Sequence, residues 1–317
     1  MKPLSRRQML GAAAAVTAAT VIPAVAAASR AKRKFTIDLS PGAVGVSASQ
    51  EQAIDYASKY GFESVYANAG FLAGLDDGGR ERLAADMRQK NVVFGAAGLP
   101  VDFRRDEDTF QAGFKNLPRL AKGMQLAGVT RVGTWLSPFH QDLTYVSNFR
   151  QHARRLRECC KVLADHGQRF GMEYVGPKTL WASKRHSFIH SMAETKELIA
   201  EIGLDNVGFV LDSWHWYTAH ETVEDLLTLK NEDVIACDLN DAPKGLPIDE
   251  QIDNRRELPA ATGIIDLKTF LGALVEIGYD GPIRAEPFNA KLNAMDNDAA
   301  CEATSRAMHK AFDLVGG

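Results

Sequence analysis

The chain has 317 residues, with 37 Lys and Arg against 40 Asp and Glu, a formal net charge of −3, and 45% hydrophobic residues. That length suits one large globular domain with a short appendage, and near-balanced charge scattered along the chain excludes a nucleic-acid-binding surface. Four cysteines, Cys159, Cys160, Cys237 and Cys301, lack zinc-knuckle spacing and read as core thiols.

The first 28 residues are set apart. Arg6 and Arg7 precede an uncharged, Ala-rich stretch from Gly11 to Ala28, and Ala24, Ala26 and Ala28 supply the small residues of a cleavage point. This pattern resembles a bacterial twin-arginine export signal, which implies the export machinery as a partner, folding before export and a periplasmic destination. The alternative is a retained anchor, but Pro23 and the many alanines make a weak span, so no stable membrane segment is expected after processing. The mature domain is then 29–317.

Eight short apolar runs follow: Lys34–Leu39, Ser64–Ala67, Val92–Ala97, Arg131–Leu136, Arg169–Glu173, Val207–Asp212, Val234–Asp238 and Pro282–Glu286. Apolar spacing of three and four residues predicts helices between and after them, over Ser49–Tyr60, Gly79–Lys90, Thr109–Ala127 and Tyr145–His166. The same spacing predicts helices over Met192–Ile202, Val223–Leu229, Leu267–Ile277 and Ala299–Leu314. Gly61, Gly128, Gly167, Gly203 and Gly278 stand where helix C-caps belong. The predicted fold class is α/β, a single-domain (β/α)8 TIM barrel, which typically takes about 250 residues; an open doubly wound sheet is the alternative.

The last four runs each end in a carboxylate: Glu173, Asp212, Asp238 and Glu286. On parallel strands these converge at the C-terminal mouth, where like charges repel unless a cation offsets them. Taken singly, each is as well explained by a helix cap or an arginine partner. Asp212 and His215, three apart at a strand end, place a metal ligand next to a substrate-facing imidazole. His140 lies after the fourth strand on the same side. Among the aromatics, Trp135, Trp214, Trp216 and Tyr217 are assigned to that side and Trp181 less firmly. Their rings suit stacking on a sugar, with core packing the competing role for at least two. Lys178 is placed to bind a substrate oxygen or simply to face solvent.

These motifs resemble the xylose isomerase-like sugar isomerase/epimerase superfamily, in the branch of inosose isomerase and ketose 3-epimerases. The family pattern places a glutamate after strand five, Asp-x-x-His after strand six, a histidine after strand seven and a glutamate after strand eight. Here these positions hold Glu173, Asp212 with His215, Asp238, and Glu286. Arg256 to Pro259, followed by Thr262 and Gly263, is similar to the family's Arg-x-x-Pro-Gly-x-Gly rim loop, whose arginine faces substrate. Two departures stand out: Asp238 replaces histidine, and Ala260 replaces the loop's first glycine. The resemblance implies metal ligation by Glu173, Asp212, Asp238 and Glu286. An all-oxygen set favours Mn2+ or Mg2+ over Co2+ or Zn2+.

What the resemblance implies is proton transfer by Glu173 and Glu286 through an enediolate, isomerising or epimerising a keto sugar or keto cyclitol, with His215, Arg256, Trp135, His140 and Lys178 binding substrate. The absence of a Gly-rich phosphate cradle after strands seven and eight favours a non-phosphorylated substrate. A lyase or dehydratase on 3-keto glycosides and a non-catalytic carbohydrate-binding protein are the alternatives. A homo-oligomer is compatible with all of these readings.

Overall fold

The computed structural model describes residues 33–316; the expected export signal lies outside them. All eight apolar runs form strands: β1 Thr36–Leu39, β2 Ser64–Ala67, β3 Val93–Gly98, β4 Arg131–Trp135, β5 Arg169–Glu173, β6 Val207–Asp212, β7 Val234–Leu239 and β8 Pro282–Ala285. Each pairs in parallel with its neighbours, and β1 joins both β2 and β8, so the sheet closes into a barrel. Closure removes the open-sheet alternative.

Parallel neighbours need long crossovers, and helices supply them. They are α1 Gln50–Tyr60, α2 Asp77–Lys90, α3 Glu107–Leu126, α4 Tyr145–Asp165, α5 Met192–Ile202, α6 Val223–Leu227, α7 Leu267–Glu276 and, after β8, α8 Asn297–Phe312. Three of them begin two residues earlier than apolar spacing predicts. Asp76, Asp106 and Asp296 accept N–H bonds from Gly79, Thr109 and Ala299, which caps a polar first turn that hydrophobic period cannot register. All five anticipated cap glycines adopt positive φ.

Several short elements escape the sequence pattern. Helices at Ala69–Gly74, Lys178–Trp181, Ser213–Thr218 and Ala290–Asn293 are too brief to show a period, as is an antiparallel pair of Phe139–His140 with His186–Ser187. All four cysteines are buried and free, as expected.

Strand alternation decides what faces the barrel axis. Phe170, Met172, Phe209 and Leu211 pack in the main core, whereas Ala96, Val210 and Ala236 form a separate small cluster. Gly133 and Gly171 crowd that cluster: a Cβ on Gly171 would lie 2.8 Å from Ile235 Cβ and 2.9 Å from a Val210 methyl. Barrel interiors are usually filled by bulky branched side chains. Here small residues leave a cavity of about 240 Å3, lined in part by Ala96, Gly98, Gly133, Val210 and Ala236, that sinks the mouth into the barrel.

Candidate active site

The same alternation that turns Gly171, Val210 and Ala236 inward carries Glu173, Asp212 and Asp238 to the mouth, two residues further along each strand. Arg284 and Glu286 follow suit on β8. Glu173 is buried, and its Oε1 has no hydrogen-bond partner. It lies 3.7 Å from His215 Nε2.

Asp212 has two separate duties. Its Oδ1 caps the Ser213–Thr218 helix by accepting from Trp214 N at 2.8 Å, and it also accepts from Asn240 Nδ2 at 3.0 Å. Oδ2 takes Arg256 Nη1 at 2.7 Å. The helix turn then brings His215 back over the carboxylates. Its Nδ1 accepts from Gly176 N at 3.2 Å. Its Nε2 lies 3.3 Å from Arg256 Nη2 and 3.6 Å from Asp212 Oδ2, so each ring nitrogen faces an N–H donor and a neutral ring accepts from only one of them. Burial, with the Arg256 charge, holds the His215 pKa well below its ordinary value, so the ring is neutral.

Asp238 is fully buried and gripped from both sides of its carboxylate by Arg284, through Nε to Oδ1 and Nη2 to Oδ2 at 2.9 Å. Glu286 is steadied at its backbone, where its N–H donates to Asn240 Oδ1 at 3.0 Å. Its side chain meets Arg256 Nη1 at 3.4 Å and Arg284 Nη2 at 3.8 Å. Arg256 is anchored on its far side by Asp253 at 2.8 Å and stacks against Phe288, 4.7 Å from the ring centroid.

The carboxylates raise one another's affinity for protons. Burial, and then the charges of Glu286, Asp238 and Asp212, push Glu173 well above the usual carboxylate range. Burial and the Asp238 charge push Glu286 up to about 8. Asp212 rises to about 6, because burial outweighs the opposing pull of Arg256.

The donor set fits a divalent cation. Oxygens of Glu173, Asp238 and Glu286 lie within 4.8 Å of one another, as do ligand atoms of Glu173, Asp212 and His215. Arg256 and Arg284 hold Asp212 and Asp238, whereas Glu173 Oε1 is a buried hard donor with no hydrogen-bond partner. Both Asp238 oxygens are engaged by Arg284, so direct ligation there requires an oxygen shared between ion and guanidinium.

The other anticipated residues separate into two groups. Trp135, at the end of β4, is 48% exposed and lines the central cavity and a second one of about 400 Å3 that also contains His215, Arg256 and Glu286. His140 and Lys178 are not brought to the cluster. His140 Nδ1 accepts from Asp142 N at 2.9 Å and Leu143 N at 2.8 Å, which closes its own turn. Lys178 is exposed and paired with Asp249 at 2.8 Å. Trp214 and Trp216 are buried core residues, and Trp181 stacks on His190, 4.6 Å between centroids. Three contributors escaped the sequence: Arg284, Asn240 and Asp253. Strand parity with Glu286 was the readable signal for Arg284; Asp253 sits on a loop and offered none.

The rim loop keeps its form without the first glycine. Ala260 itself adopts φ +56. Buried Asp241 gathers the N–H groups of Thr262 at 2.8 Å, Gly263 at 2.7 Å and Ile265 at 3.1 Å. Asp241 also pairs backbone to backbone with Glu257, the neighbour of Arg256.

A family described as xylose isomerase-like TIM barrel matches residues 54–310. A solved xylose isomerase domain protein from Alicyclobacillus acidocaldarius subsp. acidocaldarius is 30% identical, with a TM-score of 0.78, covering 89% of this chain and 100% of that one. The IolI protein, solved with a zinc atom, shares the fold at TM-score 0.72 and 19% identity, covering 88% of this chain and 98% of that one. Inosose isomerase of Bacillus subtilis (strain 168) is 26% identical over 160 residues, 50% of this chain; the match spans about half the length of that relative, 53%. With the closed barrel and the carboxylate mouth, these matches carry one conclusion: the chain belongs to the xylose isomerase-like TIM barrel family.

Proposed function

We propose that this protein is a divalent-metal-dependent isomerase or epimerase of a non-phosphorylated keto sugar or keto cyclitol, acting by proton transfer. The observation that carries this reading is that Glu173 and Glu286 line one small cavity, both with elevated proton affinity and both within reach of Arg256 or His215. Two carboxyl groups of this kind, one charged and one protonated, remove a proton from a carbon next to a carbonyl and return it to the adjacent carbon or the opposite face. The Arg256 guanidinium, with the neutral His215 ring beside it, donates towards oxygen, where negative charge develops. Glu173, Asp212 and Glu286, with Asp238 beside them, are the residues to hold Mn2+ or Mg2+, which when bound supplies further positive charge to substrate oxygens.

The names of the relatives support this reading: inosose isomerase among curated proteins, and a solved D-psicose 3-epimerase at TM-score 0.67. Export through the twin-arginine route to the periplasm is part of the proposal. The decisive experiment is NMR of the Mn2+- or Mg2+-loaded protein with a panel of keto sugars and keto cyclitols in D2O. Deuterium entering at the carbon next to the carbonyl, with product of the same mass class, is expected. Absence of exchange across the panel by the loaded protein overturns the proposal. One observation favours lyase chemistry as a second reading: the 400 Å3 cavity, walled by Pro138, Phe139, Val175, Leu180 and Phe288, has room for a leaving group beyond the mouth. Release of an aglycone or water in the same spectra identifies it.

A further inference from the structure

Arg104, in the loop after β3, is a cation without an anion. Its guanidinium carbon lies over the Phe103 ring, 4.5 Å from the centroid, and over the Trp135 ring, 4.3 Å from its centroid. Its one side-chain hydrogen bond is a long one, 3.4 Å to Thr134 Oγ1. It forms no ion pair among the described residues, and Asp102 acts on it only from a distance. A guanidinium carries five N–H donors in a flat fork. Holding it half-buried against two rings with most donors unused costs free energy that a bound anion recovers.

Its position says what that anion is attached to. Arg104 lines the 240 Å3 cavity together with Glu173, Arg284 and Glu286, so one small molecule can touch the proton-transfer pair and the guanidinium at once. It also lines a larger cavity of about 660 Å3, shared with Trp135, Arg105 and Asp102, through which that end of the site opens outward. The flat fork of a guanidinium favours a planar, two-oxygen partner over a lone hydroxyl.

We propose that Arg104 is a specificity-determining residue that binds a carboxylate carried by the substrate, making the preferred ligand a keto sugar acid rather than a neutral keto sugar. The subsite rests on the reading of the mouth as a sugar site, and it deepens that reading.

The test uses the full metal-loaded protein and two probes, D-fructose and D-fructuronate, which differ by oxidation of one primary alcohol to a carboxylate. By titration calorimetry at moderate salt, D-fructuronate is expected to bind about 10- to 100-fold more tightly, the range of a charge-assisted hydrogen-bonded pair. Arg104→Gln is expected to remove most of that preference while leaving D-fructose affinity within about 3-fold, and Arg104→Lys to restore only part of it. Equal affinity of the wild-type protein for both probes overturns the proposal. So does a preference that survives Arg104→Gln, because the carboxylate is then bound elsewhere. Thermal unfolding of each variant separates loss of fold from loss of the subsite. If the preference holds but neither probe exchanges deuterium, the subsite stands and the proton-transfer reading falls.

Discussion

Glu286 and Glu173 differ in their surroundings although both end inward-facing stretches of strand. Glu286 touches two guanidinium groups at its side chain, whereas Glu173 Oε1 touches none. Replacing either by Gln keeps shape and removes the carboxyl group's ability to take up or release a proton, so both variants are expected to lose about 10²-fold or more in deuterium exchange, with fold retained. Loss in only one of them would assign the proton transfer to a single residue and a partner outside this pair. Arg284 offers a test of a different kind. Arg284→Met leaves buried Asp238 charged and unpaired, and about 3–5 kcal/mol of stability should be lost in denaturant unfolding. Adding Asp238→Leu should recover much of it; a double variant as unstable as the single one would show that Arg284 stabilises through something other than this pair. Asp238 was legible as a strand-end carboxylate. Its partner was legible only through the two-residue alternation that puts Arg284 and Glu286 on one face, and the partnership itself needed β7 laid beside β8.

At the scale of elements, helices and strands were mostly readable because each long helix has a three-to-four-residue apolar face and each strand a short buried run. Boundaries moved where polar caps extended a helix beyond its apolar face, as at Asp76 and Asp106. The rim loop shows local preference yielding to tertiary contact. Ala260 occupies the left-handed region, which costs a residue with a Cβ about 1–2 kcal/mol. It is held there while Lys310 Nζ donates to its carbonyl at 2.6 Å and Asp241 clamps the following turn. Ala260→Gly relieves the Cβ clash but adds freedom to the unfolded chain, so a net gain of about 0.5–1 kcal/mol is expected in thermal or denaturant unfolding. A loss of stability would mean that the Ala260 methyl makes a contact worth more than the strain it causes.

For the molecule as a whole, burial of acids sets the pH response. Glu221 is raised to about 7 by burial, against its hydrogen bond from Tyr174, and Glu286 to about 8; both have ordinary values near 4.5. Between the two values the folded chain binds more protons than the unfolded one, so stability is full below about pH 4.5 and falls as pH rises through 7 and 8. His152 acts oppositely. Burial between Phe103 and Phe188 lowers it to about 3, so its contribution is present above 6.5 and lost as pH falls through 3. Above pH 6.5 only the acids matter. Chelator-treated protein should therefore melt at progressively lower temperature from pH 6.5 to 8.5, and Mn2+ should shrink the decline by taking the Glu286 share. Glu221→Gln should shrink it without altering the response to Mn2+. A flat or rising melting temperature in the chelated protein would show that these acids are already charged.

The chain's own order of residues determined the number of strand-helix units, the closing architecture, and three of the mouth carboxylates as a family pattern, because periodicity and strand-end position are properties of neighbouring residues. Only the tertiary structure decided that Asp238 faces Arg284, that His215 is held beside Glu173 and Asp212, that His140 and Lys178 stand apart, and that Arg104 shares a cavity with Glu173 and Glu286. Those are relations between loops and strands far apart in sequence, and only the closed barrel fixes them.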